Sequence, residues 1–276
     1  MNKRILASTI VISIILMTLL TSLGFAMYNT NVNDTLEIID NQIVYNGKTL
    51  TSSPDNKQFV CLSPNGQKIA FLNNKDWGNI GIIDLKTEEI IYASLENVFS
   101  TTPWGIDWVD NNRVAYYGHV NPDLDVYCIF NATTGERIKK YNGIGFTWNK
   151  QKTHIYYTLP QPHFSDSKGE NKIIMDDDTI YMSDNDTMIL GGPGISESED
   201  TVSFFESKLS SGKLSLVVAK KSTDKKINVT KKIGWNLGRG IVTVNNDGTV
   251  DITTRFERIN YDVEKEKILK IEKFNE

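Results

Sequence analysis

Leu62-Ser63-Pro64-Asn65-Gly66-Gln67-Lys68-Ile69-Ala70-Phe71, followed by Ile80-Gly81-Ile82-Ile83-Asp84-Leu85, is the stretch whose reading decides the fold. A Ser-Pro-Asn-Gly turn separates two short apolar runs, and the β-branched run beyond them is again bounded by polar residues. That is the pattern of consecutive antiparallel strands joined by tight turns. The run after the turn recurs at residues 68–72, 113–117, 154–157, 201–205 and 241–244. Its first apolar residue falls at 69, 114, 155, 202 and 241, so the intervals are 45, 41, 47 and 39 residues.

Each run follows a turn: Ser63-Pro64-Asn65-Gly66, Val109-Asp110-Asn111-Asn112, Asn149-Lys150-Gln151-Lys152 and Glu197-Ser198-Glu199-Asp200. Downstream, two further strands recur at 80–85 with 90–93, 126–130 with 137–141, and 214–219 with 226–230. Four strands per unit at a period of roughly 40 to 50 residues is the arrangement of a β-propeller blade. The stretch around Ser63-Pro64-Asn65-Gly66 resembles the WD40-like repeat of TolB-type propellers, with Asn65 where Asp is commoner. The unit from Trp108 to Gly135 is a weaker copy, and the other three keep the pattern without the letters. The resemblance implies an all-β fold, a single propeller over about residues 55–275, and no particular activity. Five blades are expected. A sixth, split blade is the alternative, because residues 36–39 and 43–45 read as a hairpin around Asp40-Asn41 that closes the ring, and 268–274 reads as its closing strand.

The first 26 residues are a different polymer. Lys3 and Arg4 precede an uncharged run over residues 5–25, and Gly24-Phe25-Ala26 offers small residues at a cleavage site. Residues 1–26 therefore read as an export signal or a retained membrane anchor helix, 27–35 as a linker and 36–276 as the propeller domain. Either way the body lies outside the cytoplasm, secreted or tethered through residues 5–25. Setting Lys3 and Arg4 aside leaves 28 Lys+Arg against 34 Asp+Glu in 276 residues, which argues against nucleic acid as a partner. Cys61 and Cys128 are too few for a disulfide framework and read as inert core thiols.

Most catalytic signatures are missing from the letters. Gly194-Ile195-Ser196-Glu197-Ser198 fails at the final glycine of a nucleophile elbow, and Gly143-x-Gly145 reads as backbone freedom at the entry to an inner strand. His119, His154 and His163 are scattered between loops and a strand. The Asp176-Asp177-Asp178 and Asp184-Asn185-Asp186 clusters would stand about 17 to 20 Å apart across a strand, too far for one calcium ion. No metal and no cofactor is expected. Asp107, between Ile106 and Trp108, is the one secure carboxylate on an inner strand, with Glu197 a weaker second.

The loops after the second strands carry more. The loop at 73–79 holds Trp77, the one at 118–125 holds His119 and Asp123, and the one at 159–171 holds His163 and Phe164. Asn245-Asn246-Asp247-Gly248 reads as their tight counterpart in the last blade. Long loops on a rigid scaffold are where recognition tends to reside. The expectation is a non-enzymatic propeller that binds a protein or cell-envelope polymer through Trp77, His119, Asp123, His163 and Phe164. The alternative is an extracellular propeller-type hydrolase or lyase with Asp107 in the central channel.

Overall fold

Polar turns cut the chain into short β-branched segments, the central ones buried on both faces, and these segments pair in order as antiparallel meanders. The structure, a computed structural model, describes residues 35–274 apart from 74–77, 97, 99–101, 122–123, 160–170, 185, 224 and 234–240. The segment read as signal or anchor lies outside the described residues. Among those described, no helix is long and apolar enough to cross a membrane.

A small meander opens the described chain: β1 (Leu36–Ile39), β2 (Gln42–Tyr45) and β3 (Lys48–Thr49). The first full sheet is β4 (Lys57–Leu62), β5 (Lys68–Asn73), β6 (Asn79–Asp84) and β7 (Ile90–Ser94). Next come β8 (Thr102–Trp108), β9 (Arg113–Asn121), β10 (Leu124–Asn131) and the twelve-residue β11 (Arg137–Trp148). β11 continues as the first strand of a meander with β12 (Ile155–Leu159), β13 (Lys172–Met175) and β14 (Asp178–Met182). A four-stranded sheet follows: β15 (Thr187–Ile195), β16 (Thr201–Lys208), β17 (Lys213–Lys220) and β18 (Lys225–Asn228). Beyond the short helix α1 (Val229–Ile233), the last sheet is β19 (Ile241–Val244), β20 (Thr249–Thr253), β21 (Glu257–Asp262) and β22 (Lys267–Lys273). The chain divides into two compact units that part between Asn142 and Gly143.

In the first unit the β4–β7 sheet is covered on both faces. Ala70, Leu72, Ile80 and Ile82 pack with Trp108, Val114, Tyr116 and Cys128 of the next sheet. Ile69, Phe71 and Ile83 on the other face pack with Ile43 of β2. All of these are nearly or fully buried, and burial of such a side chain stabilises by about 1.5–3 kcal/mol. The expected Asp40-Asn41 hairpin is present, both residues having positive φ, and Asn46-Gly47 makes a second one. In the second unit Ile189, Val202, Phe204 and Val217 pack with Ile173 of β13. Leu216, Val218 and Ile227 pack with Val250, Ile252, Ile259 and Tyr261 of the last sheet. Gly145, with φ 63°, lets β11 approach β15: a Cβ on Gly192 would lie 2.0 Å from the Gly145 carbonyl oxygen.

The repeat is most exact in the turn before each second strand. Five turns share one closing bond, from the amides of Ser63, Val109, Asn149, Ser196 and Asn245 to the carbonyls of Lys68, Arg113, His154, Thr201 and Thr249, at 2.8–3.0 Å. This corrects the fifth repeat. Ile241–Val244 is the first strand of its sheet, Asn245-Asn246-Asp247-Gly248 joins it to β20, and the residue equivalent to Val202 is Val250, 48 positions on. The sequence register slipped because Ile241–Val244 is apolar in the manner of a second strand although it is largely exposed. Residues 229–230 open α1 instead of extending β18, and β22 is the outer strand of the last sheet.

Phe71 and Gly81 face each other across β5 and β6, and a methyl group on Gly81 would lie 2.1 Å from the Phe71 ring. Gly81→Ala should therefore cost about 1–3 kcal/mol by overpacking. Combining it with Phe71→Leu should cost less than the sum of the two single changes, measured by chemical denaturation in a double-mutant cycle.

Candidate functional site

One face of the β8–β10 sheet gathers polar and aromatic groups. Directly opposed residues on neighbouring strands share a face. The register sets Asp107, Ala115 and Ile129 in one row, Gly105, Tyr117 and Tyr127 in the next, and Thr102, His119 and Asp125 in a third. The opposite face holds Ile106, Trp108, Val114 and Tyr116 in the apolar core. Asp107 and His119 therefore stand on the same side of one sheet.

His119 and Asp125 form the centre of this face. His119 Nδ1 lies 2.9 Å from Asp125 Oδ1, and Tyr117 Oη donates to Asp125 Oδ2 at 3.3 Å. Asp125 is 3% exposed, so its carboxylate is held away from water while the His119 ring remains partly accessible. Trp104 sits where the β8 register shifts. Its indole stacks on His119 at 5.0 Å and 9° and meets Tyr117 edge-on at 5.1 Å. The imidazole is thus fixed in plane by an aromatic wall and in rotation by a buried carboxylate. An imidazole so held is suited to accept and return a proton through its second ring nitrogen.

Asp107 occupies another part of the same face. By strand geometry, four positions along and two strands across set it roughly 15 Å from Asp125. That exceeds the separation of about 5–9.5 Å at which two carboxylates share glycoside hydrolysis. Its charge instead acts on Cys61, whose thiol is pushed up to about 12 chiefly by burial and secondarily by Asp107. Burial likewise pushes Cys128 up to about 11, and both cysteines are reduced. Glu197 is not on an inner strand: it lies exposed in the β15–β16 turn, pairs with Lys150 and accepts from Asn246 Nδ2 at 2.8 Å. His154 precedes β12 and bonds Asp176 Oδ2 at 2.7 Å, a contact that raises its pKa and ties it to the β13–β14 turn.

Trp77, Asp123, His163 and Phe164 lie outside the described residues. The segment at 118–125 expected as a loop is instead a hairpin, because β9 runs to Asn121 and β10 begins at Leu124. That change turns His119 and Asp125 from loop residues into cross-strand partners. Trp104, Tyr117 and Asp125 were absent from the sequence expectation. The signal for Asp125 was its place six residues after His119 across a short turn.

No family of related sequences matches the chain, and no curated protein matches it. Solved structures do. A putative dipeptidyl aminopeptidase IV from Bacteroides ovatus is matched with TM-score 0.53 and 13% identity over 87% of this chain and 45% of that one. One of two prolyl endopeptidases analysed for inter-domain dynamics is matched with TM-score 0.50 and 10% identity, over 79% and 36%. The β-propeller domain of the Trilobed protease from Pyrococcus furiosus, at TM-score 0.45 and 12% identity over 80% and 69%, is too loose a likeness to argue from. The chain spans less than half the length of the first two. Identities this low establish the fold alone, a propeller-type series of antiparallel sheets. The expectation of a non-enzymatic binding scaffold is corrected by these likenesses: the solved structures similar in fold are those of peptidases.

Burial is the largest influence on Asp125 and drives its pKa upward, with the hydrogen bonds from His119 and Tyr117 pulling it part of the way back. A carboxylate raised in the folded state contributes fully below its unfolded value of about 3.9, and that contribution is lost as pH rises through the folded value. Asp125→Asn keeps the shape and one acceptor for His119. It should flatten this limb of the stability profile and melt no lower than the parent at pH 7, as calorimetry from pH 4 to 8 would show.

Proposed function

We propose that this chain is an extracytoplasmic, hydrolase-type β-propeller in which His119 is the general base and Asp125 its positioning partner. The observation that carries the reading is the 2.9 Å contact between His119 Nδ1 and a carboxylate that is 3% exposed. In the reaction, the second imidazole nitrogen removes a proton from a water molecule as its oxygen bonds to the electrophilic carbon of the substrate. The same proton then passes to the leaving group as the scissile bond breaks. Asp125 accepts from Nδ1–H throughout, fixes the tautomer and balances the charge on the ring while it holds the extra proton.

Five blades, each a four-stranded meander opened by the same turn, form the scaffold, and β11 serves two of them in succession. Residues 1–26 export the protein or hold it at the membrane. The substrate is accordingly a protein or an envelope polymer, and peptide bonds are the first class to examine because peptidases share the fold.

Full-length protein should hydrolyse at least one member of a panel of fluorogenic peptidyl amides, aryl esters and aryl glycosides. Replacing His119 by Gln should lower kcat by about 10²–10⁴-fold while the melting temperature moves little. Asp125→Asn should lower kcat with KM nearly unchanged. No turnover across the panel, or full activity in the His119 variant, would overturn the reading.

A further inference from the structure

The hairpin β17–β18 carries an arrangement that nothing in the fold requires. Lys220 and Lys225 are directly opposed across it, Lys226 faces Ala219 in the adjacent row, and Lys221 begins the 3₁₀ turn that joins the strands. Like charges directly opposite on paired strands are destabilising. Three of the four ammonium groups are compensated: Lys220 pairs with Glu264, Lys225 with Glu266 at 3.2 Å, and Lys226 with Glu206 at 3.2 Å. Glu206 is already the acceptor for Ser183 Oγ at 2.6 Å and Tyr181 Oη at 3.0 Å, so its charge is committed to the blade interior. Lys221 packs 4.0 Å from Met175 Sδ and 6.0 Å from the centre of the Tyr156 ring, and its charge also acts on the Glu199 carboxylate.

These lysines rim a cleft of about 50 Å³ whose floor is Ile180, Val202, Ala219 and Tyr181. That volume takes a few water molecules or one small oxyanion group. An apolar floor removes competing water from beneath an anion, and lysines act on phosphate as mobile point charges arriving from the rim. We propose that this cleft binds a tetrahedral oxyanion, a phosphate or sulfate group, which engages Lys221 and Lys225 at its rim. The site lies on β14 and β16–β18, within the second unit, and does not depend on the hydrolase reading.

Inorganic phosphate added to the full-length protein, with sodium chloride holding ionic strength constant, tests this directly. Calorimetric titration should give a Kd of about 1–10 mM, and a tenfold excess over that Kd should raise the melting temperature by about 3–5 °C. The double variant Lys221→Gln, Lys225→Gln should bind at least tenfold more weakly yet melt normally in chloride, and Lys213→Gln on the same strand should bind like the parent. If the double variant fails to fold, Lys221→Gln alone, at an exposed position, should still weaken binding several-fold. Sulfate should substitute for phosphate, and acetate should not. Equal stabilisation by chloride or acetate, or unchanged phosphate binding in the Lys221 variant, would overturn the proposal.

Discussion

Each four-stranded meander turns on the closing hydrogen bond of its first turn. At Ser63, Val109, Asn149, Ser196 and Asn245 the chain reverses from a first strand into a second, and the amide there must find a partner inside the protein. It finds the carbonyl four or five residues on. Short side chains then satisfy the amides left over within the turn. Ser63 Oγ accepts from Gln67 and Lys68, Asp110 Oδ1 from Asn112 and Arg113, and Asn149 Oδ1 from Thr153 and His154. Because these acceptors are Ser, Asp or Asn at each place, one geometry survives with few shared letters.

The same turns reach the turn of the following sheet. The Asn65 amide donates to Asn111 Oδ1 at 3.0 Å in the first unit. In the second, Asn149 Nδ2 donates to Glu199 at 2.8 Å and the Ser198 amide to Asn246 Oδ1 at 3.2 Å. Within each unit, polar contacts at the turn and apolar clusters between the faces therefore set neighbouring sheets in one register. The last sheet departs from the rule. Its inner face packs on the preceding sheet, whereas the other carries Asp251 bound to Arg258 and Asn260 at 2.7 and 2.8 Å. Antiparallel sheets can end in this way, with one face dry and one face polar.

Against that rigid frame, the β8–β10 face is unusual in what it withholds from water. Asp125 is destabilised as an ion by its own burial, and its retention beside His119 and Tyr117 is a local sacrifice of stability. Such conflicts between local and global preference concentrate where a protein performs chemistry. The lysine hairpin is the other conflict: Lys220 and Lys225 stand opposed across two strands, and Glu264 and Glu266 offset the repulsion.

Apolar runs and turn chemistry are local properties, so strands β5–β7, β9–β12 and β16–β18 and the Asp40-Asn41 hairpin were legible in the sequence alone, whereas β13, between a long loop and an acidic turn, was not. The register of the fifth unit was not, because Ile241–Val244 has the composition of a second strand and only its pairing with β20 identifies it as a first. The candidate site was half legible for a related reason. His119 and Asp107 stand out as polar residues beside apolar runs. Their relation to Trp104, Tyr117 and Asp125 depends on where β9 stops and which face its odd-numbered positions occupy, and a difference of one residue in register reverses that face. The sequence by itself determined that there would be strands, turns and a repeat, since these follow from nearest neighbours along the chain. Tertiary structure alone decided which imidazole met which carboxylate, because that contact joins two strands through the shared burial of a third.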